Sequence, residues 1–224
     1  GEILKERKAT SGLNDENAWS CEMENEACLT IVLEARAKAR EEFGERIDMG
    51  IDLAASTFFK AGKYNYKNPP MGLKMDEQID YVEDIAERFN LFYLEDPLDE
   101  EAFAGFKVLR EEVNKNHPCL IVGDDLTASN LQRFVEALKK KSINGMIIKP
   151  NQNGSLIEIK KLIDACKKYG IITIMSHRSG ETMDSTIADL AFAWQVDFIK
   201  TGAMGKERDA KLNRLIEIEK KLLG

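Results

Sequence analysis

Six short apolar runs recur along the chain, each ending on a polar or turn residue and each followed by an amphipathic stretch. They are Ile47–Asp52, Leu91–Asp96, Leu120–Asp125, Gly145–Pro150, Ile171–His177 and Asp197–Gly202. Short apolar runs bounded by turn chemistry suit strands buried on both faces. The intervening stretches have helical period: in Asp76–Phe89, residues Ile79, Val82, Ile85, Ala86 and Phe89 recur at three-and-four spacing. Ala102–Val113, Leu131–Lys140, Leu156–Lys168 and Asp184–Trp194 behave alike. A helix over Glu24–Phe43 precedes the first strand, and Glu207–Leu223 closes the chain. Ser155 with Glu158 and Ser129 with Gln132 read as capping boxes, and Gly170 stands where a left-handed C-cap is expected. The polar, Pro-containing Lys60–Lys74 reads as a surface loop inside the first crossover.

The resulting α(βα)6 order demands a parallel sheet with right-handed crossovers, either an open doubly wound sheet or a (β/α) barrel. No Gly-rich phosphate fingerprint follows the first strand, which lowers the dinucleotide-binding option. With 224 residues and 43% hydrophobic content the chain can build one large α/β core. Its net charge of −7 argues against nucleic acid or an anionic membrane as main partner. No apolar run reaches the length of a membrane span and no charged-then-apolar leader is present, while four cysteines scattered through a chain this long lead to the expectation of a cytoplasmic location. Cys21, Cys28, Cys119 and Cys166 form no C-x-x-C pair or zinc spacing and read as reduced thiols that fill core space.

Asp52, Glu95, Asp124, Lys149, His177 and Lys200 each fall at or near the end of one predicted strand, separated by 43, 29, 25, 28 and 23 residues. A (β/α) barrel allots roughly 30 residues per unit, so the six keep one phase and should meet at one rim. Singly, each has an ordinary explanation: an acid capping a helix, a lysine snorkelling to the surface, a satisfied core histidine. Three carboxylates and two lysines in one phase are harder to obtain independently. Such a rim offers a hard, all-oxygen site that selects Mg²⁺ or Mn²⁺ over zinc. A lysine beside a divalent cation and a second ammonium is favoured in its neutral, proton-accepting form. Proton abstraction next to a metal-bound carboxylate would suit Lys149 with Lys200 nearby. His177-Arg178-Ser179-Gly180-Glu181-Thr182 adds an arginine, a hydroxyl and a glycine entering a helix, a plausible phosphate grip.

These segments resemble the enolases. The match runs through Asp15-Glu16, Met49–Ser56, Leu94-Glu95-Asp96-Pro97, Val122–Thr127, Ile148–Gln152, Ser176–Thr182 and Ile199–Ala203, in family order, over roughly residues 13–222. The resemblance implies the barrel of the enolase C-terminal domain, here with about six parallel strands over residues 1–224. It implies a lyase of glycolysis and gluconeogenesis that dehydrates 2-phosphoglycerate reversibly to phosphoenolpyruvate. Asp52, Glu95 and Asp124 would bind Mg²⁺, and Lys149 would remove the C2 proton. Lys200 would hold the substrate carboxylate, Arg178 and Ser179 the phosphate, and His177 would close on the substrate. Glu16 would help protonate the departing hydroxide. A homo-oligomeric intact protein, and a surface or secreted pool beside the cytoplasmic one, follow from the same resemblance.

The chain departs from the family pattern in three places. The family's D-E-G-G loop is Asp15-Glu16-Asn17-Ala18, without either glycine, which changes backbone freedom around Glu16. T-G-A-P-x-R-S-E-R becomes Thr201-Gly202-Ala203-Met204-Gly205-Lys206-Glu207-Arg208, one residue shorter. The family's N-terminal capping domain, first barrel strands and second catalytic glutamate have no counterpart, so a C-terminal portion with open sheet edges is expected. Its turnover should lie roughly 100-fold or more below that of an intact protein. The alternative is an enolase-like binding or scaffold protein without catalysis.

Overall fold

The computed structural model describes residues 1–224. The chain begins with α1 (Glu2–Glu6), the hairpin β1 (Thr10–Leu13) and β2 (Trp19–Cys21), then α2 (Asn25–Phe43) and β3 (Met49–Asp52). A small antiparallel sheet follows, of β4 (Phe59–Lys60), β5 (Lys63–Lys67) and β6 (Pro70–Leu73). Regular alternation then sets in: α3 (Met75–Arg88), β7 (Leu91–Glu95), α4 (Phe103–Asn116), β8 (Leu120–Gly123) and α5 (Leu131–Lys140). It continues through β9 (Gly145–Ile148), α6 (Pro150–Asn153), α7 (Leu156–Lys168), β10 (Ile172–Ser176), α8 (Thr186–Ala193), β11 (Phe198–Lys200) and α9 (Lys206–Leu223).

The main sheet has six strands in the order β11-β10-β9-β8-β7-β3, every neighbouring pair parallel. All six expected strands are present, and the sheet is a curled half-barrel of the (β/α) type, with β3 and β11 at its edges. Alternation along the strands sorts side chains into two layers. Ile121, Met146, Ile148 and Met175 join the large core formed with the helices, where Phe106 and Phe134 are buried. Val122, Ile147 and Ile174 form a separate cluster with Tyr93, Leu120 and Ile172 on the other, concave face. Phe92 on β7, the neighbour of edge strand β3, and Phe198 on the opposite edge strand β11 meet edge to face with centroids 6.0 Å apart, a contact that only a curled sheet allows.

Two local expectations are corrected. Lys60–Lys74 is not a loop: Lys63-Tyr64-Asn65-Tyr66-Lys67 alternates polar and aromatic residues, pairs on both sides, and buries Tyr64 completely. Ala61 and Gly62, with φ of 51° and 74°, make the tight turn between β4 and β5. The second correction concerns Ser129, which is not the cap of α5. Asn130 is that cap, its side chain accepting the Gln132 and Arg133 N–H groups at 2.9 and 3.1 Å. Ser155 does cap α7 and Gly170 is left-handed as expected.

At the β3–β7 junction one extra residue is accommodated, since Met49 pairs with Leu91 but Gly50 with Tyr93. Gly50 makes this possible: a Cβ there would lie 2.9 Å from Cβ of Tyr93. Gly50→Ala should therefore cost about 1–3 kcal/mol by overpacking, read as a lower urea midpoint at unchanged slope.

Candidate active site

The parallel strands carry the chemistry to one rim because their C-terminal ends share a direction. Asp52 ends β3, Glu95 ends β7, Asp124 follows β8, Lys149 follows β9, His177 follows β10 and Lys200 ends β11. Lys200 Nζ lies 2.9 Å from Asp52 Oδ2 and 2.8 Å from both carboxylate oxygens of Glu95. Lys149 Nζ donates to Asp124 Oδ2, and the Tyr93 hydroxyl donates to Glu95 Oε2. The five groups thus sit together as two ion-paired clusters. Asp52, Glu95 and Asp124 all act on the Tyr93 phenol, which burial and their charges push up.

Glu95 is fully buried. Burial drives its carboxyl up to about 7, against the attraction of Lys200 and with repulsion from Asp52. For Lys200, burial works against the charged form, but Glu95 and Asp52 prevail and raise it. The tightest set of three acids is a different one: Asp96, Asp124 and Asp125 bring carboxylate oxygens within 4.8 Å of one another. Asp96, in the left-handed region at φ 37°, uses its two oxygens to accept the Asp124 and Asp125 backbone N–H groups at 3.0 and 2.6 Å. It shapes the turn that presents Asp124. Asp124 Oδ1 is buried with no hydrogen-bond partner, an unsatisfied oxygen of the kind a hard cation would bind.

Lys149 is placed from both sides. Its backbone N–H donates to Ser129 Oγ at 2.8 Å, the role Ser129 has instead of capping. Pro150 opens α6 at the first helical position, where a missing N–H costs nothing.

The Arg178–Thr182 segment does not enter a helix directly, because α8 begins only at Thr186. Helix α9 holds it instead. Lys211, completely buried, pairs with Glu181 at 2.6 Å. Arg208, also buried, donates to the backbone oxygens of Arg178 and Ser179 at 3.4 and 3.1 Å. Glu181 in turn accepts the Arg178 N–H at 3.2 Å. Arg178 and Ser179 remain exposed on this braced loop. Neither Arg208 nor Lys211 stands out in the sequence, where both look like surface cations of a charged closing helix.

Glu16 sits in the turn between β1 and β2, where the Asn14 side chain accepts the Glu16 and Ala18 N–H groups at 3.0 and 2.8 Å. Asn17 adopts φ 58°, a conformation asparagine tolerates better than most non-glycine residues, so the turn survives without glycine. Asn17 also packs on Gly205, where a Cβ would stand 2.3 Å from its Nδ2. Two departures from the family pattern therefore touch. The turn brings Glu16 close enough to His177 to raise that imidazole, although burial first and Arg208 next hold it below its ordinary value. His177 Nδ1 is buried without a partner.

A curled parallel sheet with carboxylates, lysines and a braced loop on its C-terminal rim defines a (β/α)-barrel domain. Residues 2–224 match the family described as enolase, C-terminal TIM barrel domain, and the chain belongs to that family. It is 44% identical to an enolase of Methanocorpusculum labreanum, the alignment covering 97% of this chain and 54% of the relative. It is 40% identical to an enolase of Picrophilus torridus, over 100% of this chain and 55% of that protein. An enolase of Natronomonas pharaonis is 42% identical over 96% and 53%. The chain spans about half the length of these relatives. No helix is long and apolar enough to cross a membrane.

The buried Lys211–Glu181 pair yields a direct test. Lys211→Met should destabilise the chain by about 3–5 kcal/mol by leaving Glu181 without its counter-charge. Adding Glu181→Gln should recover much of that loss in chemical denaturation.

Proposed function

We propose that this chain is the catalytic barrel of an enolase, a lyase interconverting 2-phosphoglycerate and phosphoenolpyruvate in glycolysis and gluconeogenesis. The observation that carries this reading is the convergence of Asp52, Glu95, Asp124, Lys149 and Lys200 on one rim of a chain that belongs to the enolase family.

Asp52, Glu95 and Asp124 would hold Mg²⁺, and the unpartnered buried Asp124 Oδ1 supports that fit. When bound, the ion would offset negative charge growing on the substrate carboxylate. Lys149, fixed by Ser129 and Pro150, takes the proton from C2. Lys200 exchanges its contacts with Asp52 and Glu95 for the substrate carboxylate. Arg178 and Ser179 grip the phosphate from the loop that Arg208 and Lys211 brace. His177, its imidazole lowered by burial and Arg208, closes the pocket in neutral form. Glu16 supplies the proton that leaves with the C3 hydroxyl as water. Membership of the family is what supports placing the intact protein in the cytoplasm as a homo-oligomer.

Both lysines already neutralise carboxylates in this structure, an observation that also favours a second reading: an enolase-like binding or scaffold protein without turnover. Ultraviolet absorbance of phosphoenolpyruvate separates the two. The intact protein should form it from 2-phosphoglycerate with Mg²⁺, and Lys149→Ala should lower kcat by about 10²–10⁴-fold with the fold retained. No turnover in the parent would favour the scaffold, and full turnover in the variant would remove Lys149 as the base.

A further inference from the structure

Cys119 and Cys166 fill the large core, as expected of them. Burial pushes both thiols up to about 12. Cys21 and Cys28 do not fit that description. Both are only partly buried, and their sulfurs face each other at 3.1 Å. They belong to different elements: Cys21 ends β2 and Cys28 lies in the first turn of α2. The hairpin and α2 otherwise meet at a small apolar cluster built on Ile3, Leu4 and Ile31, with Cys21 at its margin. Cys28 also lines a cavity of about 490 Å³ with Leu29, Ile51, Tyr66 and Tyr81.

We propose that Cys21 and Cys28 form a dithiol site that closes to an intramolecular disulfide on reaction with a small disulfide oxidant such as oxidised glutathione. The sulfurs need approach by only about 1 Å to reach the S–S bond length of about 2.05 Å. The thiolate of one cysteine attacks a glutathione sulfur, forming a mixed disulfide and releasing one glutathione. The second cysteine then attacks the mixed disulfide and expels the other glutathione. Two protein thiols are oxidised, one glutathione disulfide is reduced to two thiols, and the two thiol protons pass to the departing glutathiones. Cys28, whose thiol is raised to about 11 by burial and by its contact with Cys21, is the later nucleophile. The closed ring clamps the end of β2 to the start of α2, and with it the hairpin whose turn carries Glu16.

The purified chain, incubated with oxidised glutathione, alkylated and mapped by mass spectrometry, tests this. The expected product has lost about 2 Da, the mass of two hydrogens, and contains a Cys21–Cys28 cross-linked peptide that dithiothreitol reverses. Cys119 and Cys166 should be alkylated only after denaturation. Cys28→Ser should instead stop at one glutathione adduct on Cys21. The proposal is overturned if Cys21 and Cys28 stay fully alkylatable in the parent chain, carry stable glutathione adducts, or cross-link to Cys119 or Cys166.

Discussion

One ammonium group ties together the two ends of the sheet. Asp52 and Lys200 stand on the edge strands β3 and β11, 148 residues apart in sequence, yet Lys200 Nζ sits between Asp52 and Glu95. A flat parallel sheet of six strands could not bring these edges together; the twist and curl of the sheet do. Glu95 is removed from water altogether, and an isolated carboxylate there would be costly. Lys200 offsets that cost while tying β11 to β3 and β7 at the C-terminal rim, and the Phe92–Phe198 contact ties β7 to β11 a second time.

The same arrangement gives the rim its chemical character. Acids gathered at strand ends repel one another, and the chain answers with a lysine for each cluster, Lys200 for Asp52 and Glu95, Lys149 for Asp124. A divalent cation would do the same work with greater charge density, freeing both ammonium groups. Asp96 prepares for this by fixing the Asp124–Asp125 turn through two backbone N–H groups. Around the rim, positioning falls to residues that touch no candidate substrate group. Ser129 sets Lys149, Arg208 and Lys211 set the Arg178–Thr182 loop, and Gly205 makes room for the turn that holds Glu16.

Much of this was legible in the sequence because it rests on period and phase. Each of the six strands and their connecting helices announced itself by a local apolar pattern, and the rim residues stood out by sharing a position in successive units. What was missed depends on longer-range or weaker signals. The β4–β6 sheet hid behind lysines and prolines, though Lys63–Lys67 alternates polar and aromatic residues as a strand with one buried face should. Ser129 matched a capping motif, but a neighbouring asparagine took that role and left the serine to a partner 20 residues away. The brace from α9 could not be read locally, since Arg208 and Lys211 look like ordinary surface cations until the helix is docked. The pairing of Cys21 with Cys28 likewise depends on how the hairpin folds back onto α2.

The account turns on whether Asp52, Glu95 and Asp124 act as one cation site. Titrating the chain with Mn²⁺, a paramagnetic stand-in for Mg²⁺, while following free ion by electron paramagnetic resonance measures this directly. One weak site is expected in the parent chain, weakened further by at least about tenfold in Asp124→Asn. Equal affinity in parent and variant would contradict it.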